Sequence, residues 1–202
     1  MKVFGIGFNK TGTSSLSQIF VNNNFKVAPQ NPFEYNLESY FYKNYSTFTE
    51  MIKNDYYHYT LFQDVPFSFP NFYKFLDQEF PNSKFILTIR DNEDEWYQSL
   101  IRFYKKIFVN FNQPEIISGY IYQGILFKIL TEVYNTPKTH PYDETSLKNA
   151  YKNHIKEVTQ YFSEKDNLLI VNLKDPNIIS KLETFLDTPF LNKNIPHLNK
   201  SK

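Results

Sequence analysis

The chain of 202 residues contains no cysteine, which excludes disulfides, thiolate zinc sites and a cysteine nucleophile, and leaves the compartment open. It also lacks an excess of either charge. Its 22 basic and 21 acidic residues leave a net +1, so no global field draws it to nucleic acid or to an anionic membrane, and any anion binding must be local. No apolar run approaches the roughly 18 residues of a membrane span. The apolar start from Met1 to Phe8 is broken by Asn9 and Lys10 and is too short for the core of a secretion signal. A soluble, cytoplasmic protein is the expectation. There is no G-x-S-x-G nucleophile elbow, no repeat and no low-complexity tract. His154 and His197 have no metal-ligand spacing to another residue, so no zinc site is expected.

The length suits one domain over residues 1–202 with its own buried core. Aromatic residues are abundant, with 21 Phe and 16 Tyr beside a single Trp. Compositional bias accounts for that abundance, and no ligand cleft is inferred from it.

Strand and helix patterns alternate along the chain. KVFGIGF, residues 2–8, reads as a buried strand. Thr13, Ser14 and Ser15 offer capping oxygens to a helix with Leu16, Ile19 and Phe20 on one face. Residues 25–28 read as a short strand, and Pro29 and Pro32 precede a helix through Glu34, Leu37, Tyr40 and Phe41. YTLFQDVP, 59–66, reads as a strand ending at Asp64, followed by a helix over 71–80. KFILTIRD, 84–91, is the strongest strand signal, and Asp91, Asn92 and Asp94 can cap the helix carrying Trp96, Leu100 and Phe103. A helix is expected within 113–135, weakened by Gly119 and Gly124. Further on come a helix over 146–162, a strand at 168–173 and a helix over 175–186. This alternation predicts an α/β fold, a parallel sheet with helices on both faces.

The stretch GIGFNKTGTSSL, 5–16, sits between the first strand and the first helix. Gly7 and Gly12 have the spacing of the loop G-x-x-x-x-G-K-[ST], but Thr13 occupies the lysine position and Lys10 lies between the glycines. A dinucleotide fingerprint fails because Lys10 stands where its third glycine belongs. An ATP or GTP loop lacks both its lysine and a metal-holding acid, since the 84–89 strand ends in Arg90 followed by Asp91. A third reading is a helix N-terminus whose N–H groups from Thr11 to Ser15 cradle a phosphate-like group, with Lys10 entering from the side. Such a loop can also do no more than turn a strand into a helix.

Three segments together resemble the sulfotransferase family that uses 3′-phosphoadenylyl sulfate (PAPS) as donor. The first is Lys10-Thr11-Gly12-Thr13-Ser14-Ser15-Leu16 after a strand. The second is DVPFSFPNFYKFLDQEFPNSKFILTIRDNEDEWYQSL, 64–100. The third, AYKNHIKEVTQYF followed by LLIVNL and IPHLN, supports the other two. The resemblance implies a P-loop-like nucleotide-binding fold. It implies that Lys10 to Ser15 hold the 5′-phosphosulfate, that Arg90 with Ser99 holds the 3′-phosphate, and that adenosine 3′,5′-bisphosphate is the product without any metal. The acceptor it implies is a hydroxyl or amine of a small molecule or glycan. Ser99 lies nine residues after Arg90, where the family usually has eight, and Asn92 replaces the usual proline. An insertion in the capping turn keeps Trp96-x-x-Ser99 in register, whereas one inside the helix rotates the face by about 100° and brings Gln98 into the position.

Transfer to an alcohol or amine requires a general base near Lys10. Asp64, at a strand end beside Pro66, is slightly favoured over Glu34, and no histidine lies in that region. The alternatives are a nucleotide-dependent kinase on the same sheet and a binding module that keeps the loop without turnover. Acceptor identity and oligomeric state are not legible in the sequence.

Overall fold

The computed structural model describes residues 1–117 and 121–196. Gly119, within the expected 113–135 helix, and His197, in the IPHLN tail, lie outside the described residues. The described residues divide into two compact units, one comprising 1–90 with 161–196 and the other lying within 91–160.

The first unit is an α/β layer structure. Its strands are β1 (Val3–Gly5), β2 (Leu61–Gln63), β3 (Lys84–Ile89) and β4 (Leu168–Asn172). They pair in parallel in the order β2-β1-β3-β4. Side chains alternate across a strand, and the register converts that alternation into two distinct faces. Val3, Leu61, Ile86 and Val171 point to one face and are buried under Leu16, Ile19 and Phe20 of α1 (Thr13–Asn22) and under Ile178, Ile179, Leu182 and Leu186 of a C-terminal helix, Ile178–Leu186. Phe4, Phe62 and Phe85 point the other way. There Phe4 contacts the rings of Phe62, Phe67, Phe80 and Phe85 at centroid distances of 5.5–5.9 Å, and Phe85 meets Phe162 at 4.8 Å. Much of the aromatic abundance is therefore core, with Phe4 and Phe67 stacked and the other pairs tilted, arrangements suited to ring quadrupoles.

The connections after β1 differ in part from the pattern predicted. Residues 25–28 form only an isolated bridge, Val27 to Leu61. The helix expected through Glu34 and Phe41 is two short ones, α2 (Asn31–Glu34) and α3 (Leu37–Phe41). Asn36 ends the first by giving its side-chain N–H to the Pro32 carbonyl at 2.8 Å, a local bond that competes with helix continuation. A further helix, α4 (Ser46–Asn54), buries Phe48, Thr49 and Ile52. Behind β2, α5 spans Phe72–Glu79.

At the amino ends of β3 and β4 a polar knot joins the chain. Asp77 accepts hydrogen bonds from Tyr161 Oη at 3.0 Å, from Asn167 Nδ2 at 2.9 Å and from Lys165 Nζ.

The second unit is helical. In α6 (Glu93–Ile107) the side chain of Asn92 caps by accepting the Glu95 N–H at 2.8 Å, three acids occupy the first turn, and Lys105 and Lys106 the last, a distribution that complements the helix dipole. The single tryptophan, Trp96, is fully buried and stacks on Tyr151 at 4.8 Å with the rings 10° from parallel. Tyr151 and the buried His154 belong to α8 (Glu144–Tyr161). The 113–135 segment is a 3-10 turn at Pro114–Ile116, a short α7 (Ile125–Lys128) and a π-helical turn at Ile129–Val133. No helix among the described residues is long and apolar enough to cross a membrane.

Candidate active site

The loop from Ile6 to Gly12 leaves the carboxyl end of β1, the edge at which open α/β sheets bind ligands. Two close approaches shape it. A Cβ on Gly7 would lie 2.1 Å from Thr88 Oγ1 and 2.5 Å from the Thr88 carbonyl oxygen, so only glycine lets the loop lie against β3. Gly12 has φ 108°, a left-handed conformation that turns the chain directly into α1. Gly12 is thus the N-cap, and no side chain caps the helix. The Thr13, Ser14 and Ser15 hydroxyls, expected as caps, instead lie in the first turn, where the backbone N–H groups have no acceptor within the helix. That turn carries no acidic residue. Its partial positive charge is therefore not offset by a carboxylate of its own.

Lys10 has φ 67°, uncommon for a residue with a side chain. Its carbonyl oxygen accepts the Arg90 Nε–H at 2.7 Å. Thr11, buried, gives its hydroxyl to the Phe8 carbonyl at 2.5 Å and lies 2.6 Å from Thr88 Oγ1. Thr88 and Arg90 are two apart and so share one face of the strand and its extension.

Gly5 pairs in register with Gln63, so Asp64 follows at the same edge as the loop. Asp64 has φ 63°, a conformation that a short polar side chain tolerates by bonding locally. Its Oδ1 accepts the Val65 N–H at 3.0 Å. Burial pushes the Asp64 carboxyl above its usual range, opposed by hydrogen bonds from Val65, the Gln30 side chain and Thr13 and by the Lys10 charge. Glu34, at the end of α2, is pushed up to about 7, first by burial and then by the Asp64 charge. The two candidate acids, 30 positions apart in sequence, are electrostatic neighbours, and Asp64 in turn feels Lys10. Gln30 and Thr88 are site residues that the sequence does not single out. Thr88 carries a faint signal, as the residue two before Arg90 on the strongest strand, and Gln30 carries none.

Ser99 lies on α6, in the second unit, buried on the same helix face as Trp96, while Gln98 is exposed. A part for Ser99 in donor binding rests on the sequence resemblance. Among the described residues no three His, Asp or Glu side chains gather into a metal-holding group.

No curated protein matches the chain. A family model described as a sulfotransferase domain matches residues 2–202, a span that takes in the loop, both acids and Arg90. The chain therefore belongs to the sulfotransferase domain family, and sulfuryl transfer is the general chemistry that this membership supports.

Proposed function

We propose that the protein moves a sulfuryl group from PAPS to a hydroxyl or amine of a small molecule or glycan, and that residues 1–202 act as one sulfotransferase domain. The single family match across both units supports the latter. The observation that carries the reading is electrostatic: two carboxyl groups with raised pKa stand in sequence from Lys10, Asp64 next to it and Glu34 beside Asp64, where the loop opens.

The residues present fit a nucleotide donor. The loop turns directly into the first turn of α1, which bears no acid of its own, and the Lys10 ammonium and the Arg90 guanidinium stand at the same loop. Lys10 to Ser15 would hold the 5′-phosphosulfate and Arg90 the 3′-phosphate, a group that a guanidinium can meet through two parallel bonds. When bound, PAPS supplies the sulfuryl group for an in-line displacement in which the acceptor–sulfur bond forms as the bond from sulfur to the 5′-phosphate oxygen breaks. The acceptor proton passes to a carboxylate, and the departing electron pair stays on the phosphate oxygen. Lys10 meets that developing charge, and the loop N–H groups hold the flanking oxygens.

Of the two acids, Glu34 is the better base. A carboxyl near 7 is matched to proton transfer at neutral pH, while Asp64 is engaged by Val65, Gln30 and Thr13 and steadies Lys10. Activity should accordingly rise with pH through about 7 as Glu34 loses its proton. Thermal-shift measurements test the donor. Adenosine 3′,5′-bisphosphate should raise the unfolding midpoint and ATP with magnesium should not. The opposite ranking would establish a kinase-type site, and binding without release of labelled sulfate from PAPS would establish a binding module.

A further inference from the structure

Two side chains of the β3 segment reach the loop, and neither contact depends on a ligand. Thr88 Oγ1 lies 2.6 Å from Thr11 Oγ1, and Arg90 Nε–H donates to the Lys10 carbonyl at 2.7 Å. Between them the backbone of Lys10 is held in its left-handed conformation, which is strained for a residue with a side chain and persists only where surrounding structure enforces it. The direction in which the Lys10 side chain leaves the loop is set by that backbone.

We propose that Thr88 and Arg90 clamp the loop to β3, and that Arg90, beyond contacting phosphate, is a positioning residue that aims the Lys10 ammonium through the Lys10 carbonyl. This rests on the reading of the site given above. A guanidinium has five N–H donors, and the one on Nε is given to the loop. The same side chain that reads the far phosphate of the donor thereby fixes the group at the leaving oxygen. Loss of the clamp should fall on kcat, since misplacement by about 1 Å can cost about 10²-fold, whereas loss of phosphate contact should fall on KM.

Two substitutions at one position separate these roles. Arg90→Gln places an amide nitrogen the same number of bonds from Cα as Arg Nε, which keeps the clamp and removes the charge. Arg90→Lys keeps the charge and has no donor at that point. With sulfate release from PAPS to water as the readout, Arg90→Gln should keep kcat within about threefold while KM rises at least about tenfold, and Arg90→Lys should lose about 10- to 100-fold in kcat. Equal losses of kcat in the two variants, or none in Arg90→Lys, overturn the clamp. Thr88→Val, measured alongside in case an Arg90 variant does not fold, should lower kcat several-fold with KM within about twofold, and unchanged kcat there also overturns it. Wild-type protein that neither hydrolyses PAPS nor is stabilised by adenosine 3′,5′-bisphosphate would instead sink the reading of the site itself.

Discussion

Replacing Glu34 by glutamine should make the protein more stable at pH 8 and less active, two effects of one cause. In the folded chain the carboxyl titrates at about 7 against 4.5 when unperturbed, because burial and the neighbouring Asp64 charge disfavour its ionised form. Between these pH values the unfolded chain has released the proton and the folded chain has kept it. The unfolded state then binds fewer protons, so stability falls as pH rises through that window and levels off above it. Each tenfold change in an ionisation constant is worth about 1.36 kcal/mol, which makes the full penalty about 3.4 kcal/mol. Glu34 is only partly buried, and solvent screening reduces this to roughly 1–2 kcal/mol. Glutamine cannot ionise and escapes the penalty. In urea titrations at pH 4 and pH 8, the loss of stability between the two should be smaller for Glu34→Gln by roughly 1–2 kcal/mol, equivalent to about 2–8 °C in thermal midpoint for a chain of this size. Comparing the pH difference rather than one pH cancels any change in packing. Turnover should fall about 10²- to 10⁴-fold if Glu34 takes the acceptor proton. A variant that tracks wild type at both pH values within about 0.5 kcal/mol would refute the placement of Glu34 in a desolvated site beside Asp64.

Asp64→Asn removes the neighbouring charge, so the acidic limb of the pH–rate profile should move to lower pH; an unmoved limb would separate the two acids. Lys10→Ala should lower turnover by about two to three orders of magnitude, with thermal stability near wild type, and near-normal sulfate release would remove Lys10 from the mechanism. Gly7→Ala puts a methyl group against the backbone as well as the hydroxyl of Thr88, and should cost about 1–3 kcal/mol in denaturant titration; a neutral result would mean that the loop does not lie on β3. At Asp77, burial is outweighed by bonds from Lys165, Asn167 and Tyr161, so its carboxyl sits below the usual range. The stability this gives is complete above the unfolded value of 3.8 and is lost as pH falls further. The stability difference between wild type and Asp77→Asn should therefore shrink as pH falls below 3.8.

The strands of the sheet are legible because each is a compact apolar run closed by polar residues, and KFILTIRD by itself places Arg90 at the carboxyl edge. The two-sided burial of Phe4 and Val3, Ile86 and Phe85, follows from the same period-two pattern. Helix α4 is not legible: STFTEMIKN mixes β-branched and polar residues, and only tertiary contacts to Phe48 and Ile52 make it a helix. Gly124 marks the weakness of the 113–135 segment correctly, since φ 81° there starts a new short helix. In the site, the loop and the candidate acids are readable as residue types at strand and helix ends. Their mutual arrangement is not. The Glu34–Asp64 neighbourhood and the bond from Arg90 to the Lys10 carbonyl join positions 30 and 80 apart in sequence, and no local pattern encodes a pairing at that range.

The stacked indole on α6 gives this chain an optical label for only one of its parts. With a single tryptophan in the sequence, emission excited at the red edge of absorption comes from Trp96 and follows the helical unit, whereas far-ultraviolet dichroism sums over both. Matching denaturation midpoints by the two signals would mean that the sheet and the helices melt together, and a gap between them would show that one outlasts the other.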